Sequence, residues 1–136
     1  MTVFELRPIG RVSSELTSRA NAPRQGDEGA PEASLVLDPE AQPGLAGLAV
    51  GDELVVLTWL HEADRTALSV HPRGDRDRPA QGVFTTRSPD RPNPIGLHRV
   101  RVLAMDGGQL RVSGLEAIDG TPIVDLKPVL GAVHER

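Results

Sequence analysis

The chain has 136 residues, a formal net charge of −4 and no cysteine. A chain of this length can bury enough surface around one core, so we expect residues 1–136 to form a single domain. The lack of cysteine excludes disulfides, thiolate nucleophiles and cysteine-based metal centres, and an aromatic content of 2% disfavours a base-stacking platform. Neither a signal-like start nor an apolar run long enough to span a bilayer is present, so we expect a cytoplasmic protein.

Charge is unevenly spread along the chain. Between residues 71 and 101 there are seven arginines against three aspartates, although the whole chain is acidic. A local basic face could meet phosphates or an anionic group of a cofactor. The alternative interpretation is a solvated strand edge followed by an ordinary loop.

The first third of the chain predicts short extended segments. Residues 2–14 are apolar at mixed spacing and contain proline and glycine, which predicts an extended segment holding the first strand. Residues 15–32 have few large apolar side chains and predict a long surface loop. Residues 34–37 predict a second strand, and Leu45 and Leu48 suit one helical turn.

The middle of the chain predicts three strands separated by loops. Residues 53–60 are continuously apolar and rich in β-branched side chains, which predicts a strand buried on both faces. Residues 66–70 and 81–87 predict further strands. Residues 71–79, rich in Arg, Asp, Pro and Gly, predict a loop between them.

The last third predicts a hairpin and a closing strand. Residues 98–103 alternate, with Val100 and Val102 on one face, and a turn at 106–108 precedes a second alternating run at 109–113. A turn at Asp119–Gly120 then leads into a strand at 123–127. Many short strands without a long helical pattern indicate an all-β barrel or sandwich of mostly antiparallel strands.

The segment from residue 87 to 96 contains three prolines, which fix φ and remove backbone donors. A stiff loop loses little entropy on binding, so it would hold Arg87 and Arg91 as fixed donors for a carboxylate or phosphate. Asn93 offers both a donor and an acceptor. The alternative is a stiff crossover between strands whose arginines contact backbone carbonyls.

Several stretches together resemble the TsaA-like family. They are residues 82–97, Ile9–Gly10, Pro23–Arg24–Gln25, Trp59–Leu60–His61 and residues 119–128, and they occur in the right order over nearly the whole chain. The resemblance implies an all-β barrel that binds S-adenosylmethionine and acts as a homodimer. It also implies methylation of N6 of threonylcarbamoyladenosine at tRNA position 37, so tRNA is the expected partner.

The resemblance also implies which positions hold the cofactor. They are Pro23, Arg24, Gln25, His61, Glu62, Arg87, Leu97, Asp119, Gly120, Thr121 and Pro122. We expect Arg87 to pair with the methionine carboxylate, Leu97 to pack on the adenine, and the turn at Asp119–Gly120 to aim backbone amides at the ligand. Arg91 and Asn93 are the candidates for contacting the substrate.

Methyl transfer to a nitrogen requires in-line positioning and removal of a proton. The candidate proton acceptors are His61, Asp125 and Asp90, with Lys127 orienting a neighbour. Asp125 and Lys127 are two apart in a strand and so point the same way, although a surface ion pair explains them as well. No spacing predicts a metal site, and three histidines are expected to be solvated: His71, His98 and His134.

Departures from the family pattern keep other functions open. Val129 stands where an aromatic commonly follows the Lys-Pro pair, and residues 29–33 lack the usual basic or polar patch. The alternatives are a methyltransferase for a small molecule, and a non-catalytic module that binds S-adenosylmethionine or a nucleotide.

Overall fold

A computed structural model describes residues 2–16 and 32–131 of the chain. Its strands are β1 Gly10–Ser13, β2 Ala33–Leu37, β3 Glu53–Trp59, β4 Ser69–Val70, β5 Gln81–Gly82, β6 Ile95–Asp106, β7 Gln109–Ser113 and β8 Pro122–Pro128. Within this described part, six strands close an antiparallel barrel in the order β1-β2-β7-β6-β3-β8, and β4 pairs with β5 separately. The predicted all-β barrel of antiparallel strands is confirmed.

Strict alternation of side chains across each barrel strand builds the core. In β6 the inward positions are buried and the outward ones exposed from Ile95 to Val102. The strand β3 also alternates, so the prediction that it is buried on both faces is wrong. Its outward side chains are half-buried because large side chains of the neighbouring strands lie beside them, as Arg99 and Lys127 do beside Val55, and the continuous apolar run reflects this partial cover. The core consists of Val12, Ala33, Leu35, Leu37, Leu54, Val56, Val100, Val102, Leu110, Val112, Leu115, Ala117 and Ile123.

Two predicted strands are shorter in the structure than in the sequence pattern. Of residues 66–70 only Ser69–Val70 form a strand, and of residues 81–87 only Gln81–Gly82 do so. A 3-10 helix over Val83–Thr85 follows β5 directly, and it ends the extended conformation. These segments lie outside the barrel and pair only with each other. A two-residue ladder that has no barrel strand beside it cannot bury the apolar side chains of residues 66–70 and 81–87. The two strands are therefore shorter than their sequence pattern predicted.

The remaining predicted strands and the helical turn lie where the sequence pattern puts them, whereas the predicted loop of residues 15–32 lies almost wholly outside the described residues. Strand β1 falls inside residues 2–14, β2 covers 34–37, and a 3-10 helix over Pro39–Leu45 forms the helical turn. The hairpin between β6 and β7 turns at Gly107, whose φ of 58° favours glycine. The predicted last strand is confirmed as β8.

Most of the predicted site segments lie at one end of the barrel. Because neighbouring strands are antiparallel, β1, β3 and β7 finish at the same end at which β2, β6 and β8 begin. We call this the site end. His61–Glu62 follow β3 there, the proline-rich loop of residues 88–94 enters β6 there, and the turn of residues 119–121 enters β8 there.

Strand β1 leaves no room for a side chain against β2 at Gly10, and this contact gives a first test of the fold. A Cβ at Gly10 would collide with the backbone oxygen of Val36 and lie 2.9 Å from Cα of Leu37. Backbone cannot move aside, so Gly10→Ala should lower the free energy of unfolding by about 1–3 kcal/mol, as overpacked sites do. Denaturant unfolding measures this change.

Gly44→Ala is the matched control, because a Cβ there meets nothing within 4 Å. We expect it to be neutral or slightly stabilising. Equal stability of the two variants would contradict the close approach of β1 and β2.

Candidate functional site

An open cleft of about 470 Å³ lies along one edge of β6. Residues 95–101 of β6 pair with β3, whereas only residues 101–106 pair with β7, which ends at Ser113. The chain then turns away at Gly114, whose φ is 71°. The edge of the first half of β6 therefore lacks a strand neighbour, and the cleft is lined by Glu53, Arg87, Leu97, His98, Arg99, Val100, Arg101, Ser113, Gly114 and Glu116.

Two of the three arginines in the cleft are already paired. Arg99 Nε donates to Glu53 at 2.8 Å, and Arg101 Nη2 donates to the same carboxylate at 3.3 Å. The hydrogen bond from Arg99 holds the pKa of Glu53 below its ordinary value, against a smaller opposing effect of desolvation. These side chains are largely exposed, so the pairs contribute little to stability and mainly fix where the guanidinium groups lie.

Arg87 is the third arginine of the cleft, and it is exposed. Among the described residues it has neither a hydrogen-bond acceptor nor an ion-pair partner. Leu97 lines the same cleft and is 48% exposed, although leucine is usually buried. The structure thus brings together two of the predicted cofactor residues, a free guanidinium and an apolar surface.

A buried hydrogen-bonded chain forms the inner wall of this cleft. The Nδ1 and Nε2 atoms of His98 lie 2.6 Å from Glu116 Oε1 and 2.7 Å from Thr58 Oγ1. An ionised carboxylate can only accept, so Nδ1 carries the proton, and in the neutral imidazole Nε2 accepts from the hydroxyl of Thr58. The side chains of His98 and Glu116 are 4% and 14% exposed.

The prediction that His98 is solvated is therefore wrong. His98 shares the inward face of β6 with Val100 and Val102, and the same alternation that predicted this strand would have placed the imidazole inside. His71 is half-buried rather than solvated, with Nδ1 2.9 Å from the carbonyl oxygen of Arg78. His134 lies outside the described residues.

Thr58, His98 and Glu116 have the connectivity of a nucleophile, a base and an acid. Thr58 is nevertheless fully buried, at 0% exposure, so no substrate can reach its hydroxyl. The chain of hydrogen bonds can hold Glu116 in place, but it does not present a nucleophile to the cleft.

The proline-rich loop is held by its own arginine. Arg91 donates from Nε to the carbonyl of Ser88 at 2.9 Å and from Nη2 to the carbonyls of Val83 and Thr86. This is the structural role that the sequence left open as the alternative. The carbonyl contacts occupy most of the donors that a substrate would need, whereas Asn93 in the same loop remains exposed.

The same loop is tied to the segment that follows β3. Asp90 Oδ1 accepts from the backbone N–H of Asp64 at 2.8 Å, and Arg65 Nε donates to the carbonyl of Pro92 at 2.8 Å. Arg65 also stacks over the ring of Trp59, 5.0 Å from its centroid. Asp90 therefore joins two loops at the site end. In the segment that follows β3, His61 and Glu62 are both exposed.

Asp125 and Lys127 form an ion pair of 3.4 Å on the outer face of β8, as their spacing predicted. Both are substantially exposed. Leu57 lies opposite Leu97 on one side and opposite Asp125 on the other, so Asp125 is two strands, about 10 Å, from Leu97 on the same face. A register shift next to Asp125 makes a bulge, which is a common way to re-aim a side chain.

The turn before β8 contradicts one predicted role. The backbone N–H groups of Asp119, Gly120 and Thr121 donate to carbonyls of Leu16, Val12 and Ile118. Because Pro122 has no N–H, the turn has no free backbone amide to offer a ligand, and any contact must come from other atoms.

The first predicted cofactor segment, Pro23–Arg24–Gln25, lies outside the described residues. Leu16, the last described residue before it in the sequence, accepts a hydrogen bond from the N–H of Asp119 in the turn before β8. No group of three or more His, Asp or Glu side chains in the described ranges could hold a metal ion. Within residues 2–16 and 32–131 there is also no helix long and apolar enough to cross a membrane.

A family model described as the tRNA-methyltransferase O N-terminal domain matches residues 11–134. The chain belongs to this family. The barrel, the cleft along β6 and the loops at the site end are thus features of a tRNA-methyltransferase O N-terminal domain, which agrees with the resemblance predicted from the sequence motifs.

Relatives with similar sequences are named for the ligand they bind. A probable S-adenosyl-L-methionine-binding protein of Methanothermobacter thermautotrophicus is 45% identical over 125 residues, which cover 92% of this chain and 89% of the relative. A similarly named protein of Archaeoglobus fulgidus is 43% identical over 128 residues, which cover 94% of this chain but 34% of the relative.

The fold is also that of solved TrmO structures. The crystal structure of TrmO from Pseudomonas aeruginosa superposes with a TM-score of 0.76 at 30% identity over the whole of this chain. The chain spans 60% of the length of that TrmO chain.

The hydrogen bond between His98 and Thr58 occupies space that only a glycine at position 96 leaves open. Substitution of Gly96 therefore tests this buried contact beside the cleft. A Cβ at Gly96 would collide with Thr58 Oγ1 and lie 2.7 Å from His98 Nε2. We expect Gly96→Ala to separate the two polar groups and to cost about 1–3 kcal/mol in denaturant unfolding.

Gly82→Ala is the control, since a Cβ there has only a 4.0 Å contact with the oxygen of Leu68. If Gly96→Ala unfolds with the same midpoint as this control, the hydrogen bond between Thr58 and His98 does not stabilise the barrel.

Proposed function

We propose that this chain is an S-adenosylmethionine-dependent methyltransferase that methylates N6 of threonylcarbamoyladenosine at tRNA position 37. The observation that carries the proposal is the cleft along β6, which combines an unpaired guanidinium with exposed apolar surface in a family named for tRNA methylation. Relatives named as S-adenosyl-L-methionine-binding proteins support the cofactor.

The residues in the cleft fit S-adenosylmethionine chemically. Arg87 has free donors for a carboxylate, and Leu97 offers an apolar surface for a nucleobase. When bound, the cofactor supplies an electrophilic methyl group. His61, Glu62, Asp119 and the segment of residues 23–25 complete the proposed cofactor set, with Gly120 and Pro122 contributing from the turn. Thr121 is buried, and its hydroxyl and carbonyl are bonded to Ile118 and Val12, so we propose that it acts only by holding this turn.

In the proposed reaction the residues of this chain position the cofactor and the acceptor, and they remove a proton from the acceptor nitrogen. His61 is exposed at the site end and is our first candidate for accepting that proton. Asp125 is the second, because Lys127 fixes its carboxylate and the neighbouring bulge directs it. Asp90 is the least accessible candidate, since it already accepts a backbone N–H.

The loops at the site end are the proposed contact with the anticodon loop of tRNA. Asn93 is exposed in a loop made stiff by proline and by the contacts of Arg91, so its amide group could be read by a base at little entropic cost. The net charge of −4 favours the alternative acceptor, a small molecule, or a non-catalytic module.

We propose further that the chain acts as a homodimer in the cytoplasm. Support for the dimer comes from apolar side chains left exposed, including Phe84 at 79% and Ile95 at 45%. A second copy covering such side chains would remove them from water.

Arg87→Ala tests the cofactor proposal directly. Loss of a charge-assisted contact to a carboxylate should weaken S-adenosylmethionine binding at least about tenfold, measured by isothermal titration calorimetry. Arg76→Ala is the matched control, because Arg76 is exposed in the loop after β4 and does not line the cleft. Wild-type affinity in Arg87→Ala would refute the proposed site.

The acceptor is tested by mass spectrometry of tRNA nucleosides from a strain that lacks this protein. We expect methylated threonylcarbamoyladenosine to disappear in the deletion strain and to return with the wild-type chain. Arg87→Ala should fail to restore it, and Asn93→Ala should restore it only in part without altering cofactor affinity. A nucleoside profile unaffected by the deletion would remove the tRNA assignment and leave the small-molecule alternative.

A further inference from the structure

Two charged groups of opposite sign remain in the cleft after its internal ion pairs are assigned. Arg99 and Arg101 are compensated by Glu53. Arg87 has no partner among the described residues. Glu116 accepts a hydrogen bond from the imidazole of His98, and among the described residues no arginine or lysine forms an ion pair with it. Although Arg87 and Glu116 line one cleft, no ion pair joins them in the described structure.

Glu116 is also held more firmly than an ordinary surface carboxylate. Its bond to His98 is continued by the bond from His98 to Thr58, which is anchored in the barrel interior. With 14% of its side chain exposed, Glu116 is poorly hydrated yet still open to the cleft. A carboxylate fixed in such an environment interacts strongly with a cation, because little reorganisation is needed.

We propose that Glu116 binds the cationic part of the cofactor's methionyl group, and that His98 and Thr58 are its positioning residues. This inference rests on the proposed cofactor. The methionyl group of S-adenosylmethionine carries one carboxylate together with an α-ammonium and a sulfonium. A free guanidinium and a fixed carboxylate that do not pair with each other match this combination of charges, one on each side of the ligand.

The test compares three ligands by calorimetry on the full chain. S-adenosylmethionine has both cations, and S-adenosylhomocysteine has only the ammonium. In 5′-methylthioadenosine the 3-amino-3-carboxypropyl group is missing and the sulfur is an uncharged thioether, so it has neither cation. Glu116→Gln keeps an acceptor for His98 but removes the charge. It should lower the affinity for S-adenosylmethionine about tenfold and leave the affinity for methylthioadenosine unchanged. Only S-adenosylmethionine has a cation that would lose its carboxylate partner. The affinity ratio of these two ligands is the readout, since a folding defect would weaken both.

The homocysteine analogue identifies which cation Glu116 faces. A loss confined to S-adenosylmethionine indicates the sulfonium, and an equal loss for the homocysteine analogue indicates the ammonium. Both outcomes support the proposal.

Glu53→Gln is the matched control, because it removes the same charge from the same cleft at a carboxylate already occupied by two arginines. We expect its affinity ratio to stay at the wild-type value. An equal fall in Glu53→Gln and Glu116→Gln would show a general charge effect and overturn the specific role of Glu116.

The positioning role of His98 is tested by two substitutions. His98→Leu removes the donor to Glu116, whereas His98→Asn places an amide N–H close to where Nδ1 lies. The ratio should fall in His98→Leu and recover in His98→Asn. An identical ratio in both variants would overturn the positioning role.

Failure of this inference is distinguishable from failure of the proposed function. If the wild-type chain binds S-adenosylmethionine and Glu116→Gln keeps the wild-type ratio, only the role of Glu116 is refuted. If the wild-type chain binds none of the three ligands, the cofactor itself is refuted and the inference falls with it.

Discussion

The stagger of β6 between its two neighbours is the constraint on which the candidate site depends. Strand β6 has twelve residues, whereas β3 has seven and β7 has five. A strand this long must pair with β3 over its first half and with β7 over its second half. Closure of a barrel requires such a shear between strands. In this barrel the shear leaves one edge of residues 95–100 without a strand, and the cleft occupies that edge.

Side chains of β6 point alternately outward and inward, so the cleft is lined by exposed side chains of the outer face and by buried ones of the inner face. Leu97 and Arg99 point outward, while Gly96 and His98 point inward and meet Thr58. Among the described residues the buried polar side chains are Thr58, His98 and Thr121, and the first two lie next to the opening. A buried polar chain is tolerated because each of its members is hydrogen-bonded, and in the described structure no buried side-chain polar atom lacks a partner. His98 is the only buried histidine among the described residues. It packs in the core and also forms a hydrogen bond with Glu116, which lines the cleft.

The sequence predicted the barrel strands better than it predicted the site. Alternation and turn chemistry located β6, β7 and β8, because a period of two residues and a glycine turn are local signals. The strand β3 was found, but its partial cover on the outer face depends on which strands flank it. The lengths of β4 and β5 were overestimated for the same reason, since pairing partners decide where a strand ends.

Site residues were harder to predict because their surroundings come from distant parts of the chain. Glu116 was missed altogether, as it meets His98 only after β7 ends and the chain turns at Gly114. Free amides were expected in the turn at 119–121, but the N–H groups of Asp119 and Gly120 donate to residues 16 and 12, more than a hundred positions away, and that of Thr121 donates within the turn. Arg87 and Leu97 were found through family motifs, and the structure brings them to one cleft.

Two arginines in and beside the proline-rich loop differ in what their guanidinium groups contact: Arg91 donates to backbone carbonyls, whereas Arg87 does not. Arg91 lies inside the loop, and its guanidinium donates to the carbonyl of Ser88 and to the carbonyls of Val83 and Thr86, which precede the loop. These contacts tie the loop to the segment before it. Arg87 lies between the contacted residues, but among the described residues its own guanidinium donates to no backbone carbonyl. The contacts that commit Arg91 to structure thus hold the backbone on both sides of Arg87, while the guanidinium of Arg87 stays available to a ligand.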